Sequence, residues 1–118
     1  MELRHLRYYV AVAEELSFRR AAERVRVAQP ALSKQIKDLE YDVGAKLLDR
    51  NTAGVALTDA GAIFLVEARE ILAHAERASA KAREAEAGSR GALTVANVSA
   101  ISASFMPATL SEFHTRYP

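Results

Sequence analysis

Residues 17–44 constrain the fold most, because they combine two short helical patterns with a three-residue break between them. Pro30 stands at the predicted first position of the second helix, where its missing N–H costs no hydrogen bond, and Gly44 follows as a left-handed cap. At about 100° per residue, one stripe of this helix is apolar and consists of Leu32, Ile36, Leu39 and Val43. The opposite side is polar and carries Pro30, Ser33, Lys34, Lys37 and Tyr41, with Gln29 at the amino-terminal edge. The sequence therefore predicts a helix that is buried on one side and free to bind on the other.

The first of the two helices is short and has a small inner face. Ser17 can cap it, because a serine side chain accepts a hydrogen bond from the second or third helical N–H. The inner face consists of Phe18, Ala21, Ala22 and Val25, and residues 26–28 form the break. Two helices joined by such a short turn are typical of the helix-turn-helix, in which the second helix enters the DNA major groove.

The charges on these two helices favour a polyanionic partner. Between residues 19 and 37 there is one acid, Glu23, against six basic residues: Arg19, Arg20, Arg24, Arg26, Lys34 and Lys37. The whole chain carries 16 basic and 15 acidic residues, so its formal charge of +1 gives no such indication. Phosphate is the counter-charge that the local excess favours. The alternative is that these basic residues form only a solvated surface.

Composition excludes several other classes of protein. With 118 residues, half of them apolar, the chain has room for one small domain and an appendage. It has no Cys, which excludes disulfides, thiolate metal sites and thiol redox chemistry in this stretch and fits a reducing compartment. The longest apolar runs are far shorter than a membrane span, and no signal-peptide pattern opens the chain. We expect a cytoplasmic protein with no membrane partner.

Two further elements are predicted around the helix pair. Leu3, Leu6, Val10 and Ala13 recur at helical spacing, which predicts a third helix that ends near Glu15 and packs behind the pair. After Gly44, residues 46–50 and 55–57 are short extended runs on either side of the turn-rich residues 51–54, which predicts a hairpin. Beside a helix-turn-helix, a hairpin is a wing. A structural turn without DNA contact is an equally favoured interpretation.

A long helix follows the hairpin. Thr58 can cap it, and Asp59 places a negative charge in its first turn, where the helix dipole favours one. A heptad-like seam then runs along it before Gly88: Phe64, Ala68, Ile71, Ala75, Ala78, Ala82 and Ala85. Because so thin a seam permits close backbone approach, we expect the helix to pair with the same helix of a second copy. The alternative is a solvated connector.

The last part of the chain predicts the start of a second domain. Residues 88–91 form a hinge, and the strand and helix predicted within residues 92–118 cannot enclose a core by themselves. Ser99 and Ser102 lie between that strand and helix, where hydroxyl and free N–H groups can hold an anion. The predicted fold is mainly α, with a helix-turn-helix and wing over residues 1–58, a linker helix over 59–87 and a truncated β-α start of an α/β domain.

Short motifs along the chain match a known family. They are Leu3-Arg4-His5-Leu6, Ser17-Phe18, Ala21-Ala22-Glu23, Gln29-Pro30-Ala31-Leu32-Ser33, Ile36, Leu39-Glu40, Gly44, Leu47-Leu48, Arg50, Leu57-Thr58 and Gly61. Together they resemble the amino-terminal domain of LysR-type transcriptional regulators, most specifically over residues 1–61. The opening residues 1–15 look most like the subgroup that controls catabolism of aromatic compounds. The resemblance implies a winged helix-turn-helix that binds double-stranded promoter DNA containing a dyad, as a homodimer that forms a tetramer in the full-length protein.

The resemblance also implies roles for particular residues. By position, base contacts come from Gln29, Pro30, Ser33 and Lys34. Candidates for contacts with the DNA backbone are Arg4, Arg19, Arg20, Arg26, Lys37 and Arg50. The chemistry agrees, because an amide can pair with adenine, a lysine can donate to guanine and a serine can bond to either.

Two departures and one missing part qualify the resemblance. Ala53 stands at the wing tip where many members have arginine, and Ala28 precedes the Gln-Pro pair where many have serine. In complete members a small-molecule inducer binds within the effector domain, of which Ser99 and Ser102 look like the first elements. The chain as given is therefore expected to bind DNA without responding to an inducer.

Two other classes of function remain as alternatives. One is a helical interaction module, whose basic face meets an acidic protein and whose long helix only dimerises. The other is an enzyme fragment, but His5, His74 and His114 are dispersed, and the sequence has no metal-ligand spacing, nucleophile motif or glycine-rich phosphate loop. No metal or cofactor is expected.

Overall fold

The structure is a computed structural model that describes residues 1–88. Its elements are α1 Leu3–Glu15, α2 Phe18–Val25, α3 Gln29–Val43, β1 Leu48–Asn51, β2 Gly54–Leu57 and α4 Asp59–Gly88. The expected order of three helices, a hairpin and a long helix is confirmed. Gly88, the first residue of the expected hinge, is the last residue of α4. Outside the described residues lie hinge residues 89–91 and the expected β-α unit of residues 92–118, which includes Ser99 and Ser102.

One compact unit runs from Met1 to His74 and thus includes the first part of α4. Its centre is made by side chains from α1, α3 and the segment before β1. The largest fully buried ones are Tyr9, Leu6, Leu32, Leu39, Leu47 and Val12. Burying each side chain of this size stabilises the fold by roughly 1.5–3 kcal/mol relative to leaving it exposed. The described residues of the second unit, 75–88, continue α4.

Three of the four residues in the apolar stripe of α3, Leu32, Ile36 and Leu39, are almost inaccessible to solvent as expected, and the fourth, Val43, is half-buried. Helix α1 differs in detail. Leu6 and Ala13 are buried, but Leu3 is exposed, and Tyr9 and Val12 lie in the core instead. A phenol can occupy that position because its hydroxyl finds a buried acceptor on α4.

Local capping explains where the helices begin and end. The Ser17 hydroxyl accepts a hydrogen bond from Arg20 N at 3.1 Å, which confirms the cap of α2. Helices α1, α2 and α3 end at left-handed residues, namely Leu16, Arg26 and Gly44. Helix α3 begins at Gln29, so Pro30 is its second residue and not its first. Either position suits proline, because N–H groups of the first turn have no partner within the helix.

The strands of the hairpin lie closer to its turn than the two predicted extended runs, because β1 starts two residues later and both strands extend one residue further into residues 51–54. Strands β1 and β2 pair antiparallel from Leu48↔Leu57 to Asn51↔Gly54. The turn is closed by Asn51 Oδ1, which accepts a hydrogen bond from Ala53 N at 2.8 Å. Strand β1 starts at Leu48 and not at Lys46, because the carbonyl groups of the two preceding residues accept hydrogen bonds from Thr58. The Thr58 hydroxyl donates to Lys46 O at 2.6 Å, and Thr58 N donates to Leu47 O at 3.1 Å.

The first turn of α4 is fixed against α1 and the hairpin. Thr58 Oγ1 accepts a hydrogen bond from Gly61 N at 2.9 Å, which confirms the predicted cap. The Tyr9 hydroxyl donates to Gly61 O at 2.7 Å. Burial raises the pKa of Tyr9 to about 12, so the phenol keeps the proton that it donates. A Cβ at residue 61 would overlap the carbonyl oxygen of Leu47, which is why a glycine stands there.

The first two members of the expected dimer seam of α4 pack on the chain's own core, and the expectation needs a correction at Ala68. The ring of Phe64 lies edge-on to Tyr9 with 5.5 Å between centroids, and Ala68 is fully buried within the chain's own core. Ala68 is therefore not free to meet a second copy, whereas Phe64 is half-buried and keeps part of its surface. Of the other members, Ile71, Ala78 and Ala82 are exposed, and Ala75 is half-buried.

Candidate nucleic-acid interface

The amino-terminal half of α3 presents its polar side to solvent. Gln29, Pro30 and Lys34 are exposed, and the Lys34 side chain retains 74% of its accessible surface. Ser33 is half-buried. Nothing in the described chain encloses these residues, and we call Gln29, Pro30, Ser33 and Lys34 the α3 face.

The hairpin extends this surface sideways. Arg50 of β1 donates a hydrogen bond from Nη1 to Ser33 Oγ at 2.6 Å. Its guanidinium carbon lies 3.6 Å from the ring centroid of Phe18 at the start of α2. An open cleft therefore runs between α2, the start of α3 and the hairpin, and its lining includes Ser17, Gln29 and Asn51. The structure thus brings Arg50 to the α3 face, whereas the sequence placed it only near the DNA backbone.

Glu40 holds the hairpin against α3. One oxygen, Oε2, accepts hydrogen bonds from Leu47 N at 2.7 Å and from Leu48 N at 3.2 Å. Sequence reasoning missed this role and included Glu40 only in the motif Leu39-Glu40 of the family resemblance. An available signal was a carboxylate four residues before the Gly44 cap, where the chain turns back and leaves N–H groups without helical partners.

Most of the basic residues around α2 have acidic partners. Arg19 pairs with Glu23 at 2.8 Å, one turn along the same helix. Arg20 donates to the main-chain oxygen of Glu15 at 2.6 Å and lies 3.6 Å from its carboxylate. The expected local excess of positive charge is therefore smaller than the count over residues 19–37 suggests. Apart from Glu23, the acids that compensate these arginines are Glu14 and Glu15 of α1, which lies outside that stretch.

Glu14 links three helices through two arginines. Its carboxylate lies 2.7 Å from Arg24 Nη2 of α2 and 2.7 Å from Arg69 Nη2 of α4. The hydrogen bonds from Arg69 and Arg24 hold the pKa of Glu14 below its usual range. Arg24 is thus a structural residue that ties α2 to α1, and it takes one cation out of the set available to DNA.

The remaining basic candidates, three for backbone contacts and Lys34 for a base contact, fall into two groups. Arg4 pairs with Glu2 at 2.9 Å, and Lys34 of the α3 face pairs with Asp38 at 3.0 Å. Arg26 and Lys37 are exposed and form no ion pair or hydrogen bond within residues 1–88. Exposed ion pairs are worth only about 0–1 kcal/mol, so a phosphate can replace the carboxylate partner of the paired cations at small cost.

Other kinds of site find no support in the described part of the chain. Residues 1–88 contain no group of three or more His, Cys, Asp or Glu side chains placed to hold a metal ion. His5 is buried, and its Nδ1 accepts a hydrogen bond from Glu2 N at 3.0 Å in the cap of α1. None of the helices in that same region combines the length and hydrophobicity needed to cross a bilayer.

A helix-turn-helix with a polar, exposed second helix and an adjoining hairpin defines the winged helix-turn-helix class of DNA-binding domains. The family model for the "Bacterial regulatory helix-turn-helix protein, lysR family" matches residues 3–62. The chain therefore belongs to the lysR family.

Similar proteins are known from several bacteria. The Hca operon transcriptional activator HcaR of Escherichia coli (strain K12) is 48% identical over the whole chain, which covers 40% of HcaR. TfdT, an HTH-type transcriptional regulator of Cupriavidus pinatubonensis, is 42% identical over the whole chain, which covers 52% of TfdT. The chain thus spans about half or less of the length of these relatives.

Solved structures show the same fold bound to DNA. A crystal structure of a CbnR_DBD-DNA complex matches 73% of this chain and 99% of that chain with a TM-score of 0.71 and 44% identity. A BenM_DBD complex with catB site 1 DNA matches 75% of this chain and 99% of that chain with the same TM-score and 42% identity. These likenesses confirm the winged helix-turn-helix followed by a long helix.

Proposed function

We propose that this chain is the DNA-binding part of a transcription regulator that binds promoter DNA containing a dyad. The observation that carries the proposal is the α3 face, an exposed polar surface on the second helix of a helix-turn-helix with a hairpin beside it. The similarity to domains that were crystallised with DNA supports it.

The α3 face supplies the chemistry for distinguishing bases. The amide of Gln29 can make paired hydrogen bonds with adenine, and Lys34 can donate to guanine. Ser33 can bond to either base, and the ring of Pro30 offers an apolar contact to the thymine methyl group. Each good contact of this kind discriminates against the wrong base by about 1–3 kcal/mol.

Contacts with the DNA backbone come from the surrounding cations. Arg26 and Lys37 need no rearrangement to meet phosphate, because nothing within residues 1–88 occupies their charged groups. Arg4, Arg19 and Arg20 exchange an acidic or main-chain partner for phosphate when DNA arrives. Such contacts orient the protein on the duplex and do not carry sequence information.

A dyad requires two copies of the α3 face related by two-fold symmetry. Helix α4 is the element that supplies this symmetry in our proposal, through Ile71, Ala75, Ala78 and Ala82. The first two seam members, Phe64 and Ala68, support that role indirectly, because they pack the start of α4 against the core of the DNA-binding unit. A pair of α4 helices then sets the spacing of the two α3 faces.

The complete protein extends beyond this chain in our proposal, as its relatives do. Residues 1–58 are the DNA-binding domain, residues 59–87 the linker helix and residues 88–91 the hinge. Residues 92–118 begin an effector domain, in which Ser99 and Ser102 contribute to the pocket of a small-molecule inducer. The full protein assembles as a tetramer and acts in the cytoplasm, with genes for aromatic catabolism as the candidate targets.

Capture of genomic fragments tests this function. The purified 118-residue chain is mixed with fragments of its own genome at low salt, and the retained fragments are sequenced. We expect promoter fragments that share a dyad, with retention that falls steeply as salt rises. Failure to retain any fragment at low salt, by a chain that sediments as a dimer, would instead favour the helical interaction module.

A further inference from the structure

Arg50 is positioned more firmly than an exposed arginine of a hairpin needs to be. Its guanidinium lies over the ring of Phe18, which is only 4% exposed, and it donates to the hydroxyl oxygen of Ser33. Two helices therefore orient one side chain of β1. A guanidinium that served only as a mobile counter-charge for phosphate would require neither contact.

We propose that Ser33 and Arg50 act as one specificity-determining unit that selects a base edge carrying hydrogen-bond acceptors, guanine above all. The inference deepens the proposed function and rests on it, because it requires the α3 face to lie in the major groove. It differs from the role that the resemblance implies for Arg50, which is a contact with the backbone alone.

The hydrogen bond between the two residues determines which groups are left for DNA. Ser33 Oγ already accepts from Arg50 Nη1, so the Ser33 hydroxyl proton is directed to another acceptor. Arg50 has five N–H donors and no acceptor, and this bond uses one of them. The pair therefore offers donors to a base, and guanine presents two acceptors, O6 and N7, in the major groove.

Charge strengthens the same preference. Within residues 1–88 no carboxylate pairs with Arg50, whereas the neighbouring Lys34 is paired with Asp38. An uncompensated guanidinium beside Ser33 Oγ attracts acceptor atoms and repels the amino groups of cytosine and adenine. Cytosine, which presents only a donor in the major groove, is therefore the base most strongly disfavoured opposite this pair.

Selection from random duplexes tests the proposal. The 118-residue chain and its variants are each used to enrich binding sites, and base preference is read at every position. The variants are Ser33→Ala, Arg50→Gln and the double variant, with Arg7→Gln as the matched control. Arg7 is an exposed arginine of α1, so the control loses the same charge away from the α3 face.

We expect the wild type to require guanine at one position of each half-site. At that position, preference over cytosine falls about tenfold in Ser33→Ala and in Arg50→Gln, and the double variant loses no more than the larger of the two. Arg7→Gln keeps the wild-type preference. Both mutated side chains reach the surface, and thermal unfolding by circular dichroism verifies that each variant folds. If Arg50→Gln does not fold, the test is decided by Ser33→Ala alone.

Three results would overturn the inference. One is an Arg50→Gln variant that binds all sequences more weakly while keeping every base preference, which is the behaviour of a phosphate contact. Another is a Ser33→Ala variant whose guanine preference equals that of the wild type. A third is a wild-type site without the guanine. Each leaves the proposed function intact, whereas a wild type that enriches no sequence at all contradicts both.

Discussion

Replacement of Glu40 by alanine tests how the hairpin is held beside α3. The Glu40 carboxylate accepts hydrogen bonds from Leu47 N and Leu48 N, at 2.7 Å and 3.2 Å. Alanine removes both acceptors and leaves two N–H groups at the start of the hairpin without a partner. Helix propensity is not the cause of any loss, because alanine favours a helix at least as well as glutamate does.

The expected loss follows from the two hydrogen bonds. A hydrogen bond to a charged group contributes about 1.5–3 kcal/mol, and the longer bond and the half-buried site reduce the sum. We therefore expect Glu40→Ala to lower the free energy of unfolding by about 2–4 kcal/mol. That is a large part of the roughly 5–15 kcal/mol typical of a whole domain. Glu40→Gln keeps an acceptor oxygen, and it should lose only about 1 kcal/mol.

Urea denaturation followed by circular dichroism measures the difference. Glu23→Ala is the matched control, because it removes an exposed glutamate whose pair with Arg19 is worth less than about 1 kcal/mol. Glu40→Ala should also bind DNA more weakly under conditions where it is folded, since Arg50 then loses its position beside Ser33. Equal midpoints for Glu40→Ala and Glu23→Ala would refute this account of the hairpin.

Three further predictions concern other parts of the chain. Gly61→Ala should lower the free energy of unfolding, measured in urea, by at least about 2 kcal/mol, because the added Cβ would overlap a backbone oxygen of Leu47 that cannot move aside. An unchanged free energy of unfolding would contradict the close approach of residue 61 to Leu47. The pKa of Glu14 is lowered, first of all by the hydrogen bond from Arg69, so its contribution to stability is present above the ordinary carboxyl range and disappears as the pH falls through the lowered pKa. Glu14→Gln should therefore flatten the acid limb of a plot of stability against pH, and an unchanged acid limb would show that the pair with Arg69 is not formed. Arg26→Ala should weaken binding to all duplexes alike and reduce the salt slope by about 1, and a change of base preference would exclude the backbone role.

Local patterns in the sequence were sufficient for the elements themselves. The stripe of Leu32, Ile36 and Leu39, the Ser17 cap and the left-handed Gly44 all depend on neighbours within a turn or two, and all are confirmed. The position of the α3 face follows from the same periodicity, because the side opposite a buried stripe must face outward unless another element covers it.

Contacts between distant segments were not predictable in the same way. Glu14 of α1 pairs with Arg24, ten residues later, and with Arg69, 55 residues later, so a charge count over residues 19–37 could not include these contacts. Arg50 and Ser33 are 17 residues apart, and their contact depends on the angle at which the hairpin leaves α3. Phe64 and Ala68 fit a heptad pattern but pack on the chain's own core, because periodicity does not reveal which surface an apolar residue covers.

The specificity of DNA binding is the most direct test of the central claim, which is that the α3 face determines the choice of DNA. Fluorescence anisotropy gives the ratio of affinities for a selected duplex and a scrambled one. The wild type is compared with Gln29→Ala, and with Tyr41→Ala as a control on the exposed carboxy-terminal half of α3. Gln29→Ala should reduce the ratio by roughly 5- to 150-fold, the equivalent of 1–3 kcal/mol, and Tyr41→Ala should leave it unchanged. Equal loss of affinity for both duplexes in Gln29→Ala, with the ratio preserved, would contradict the account.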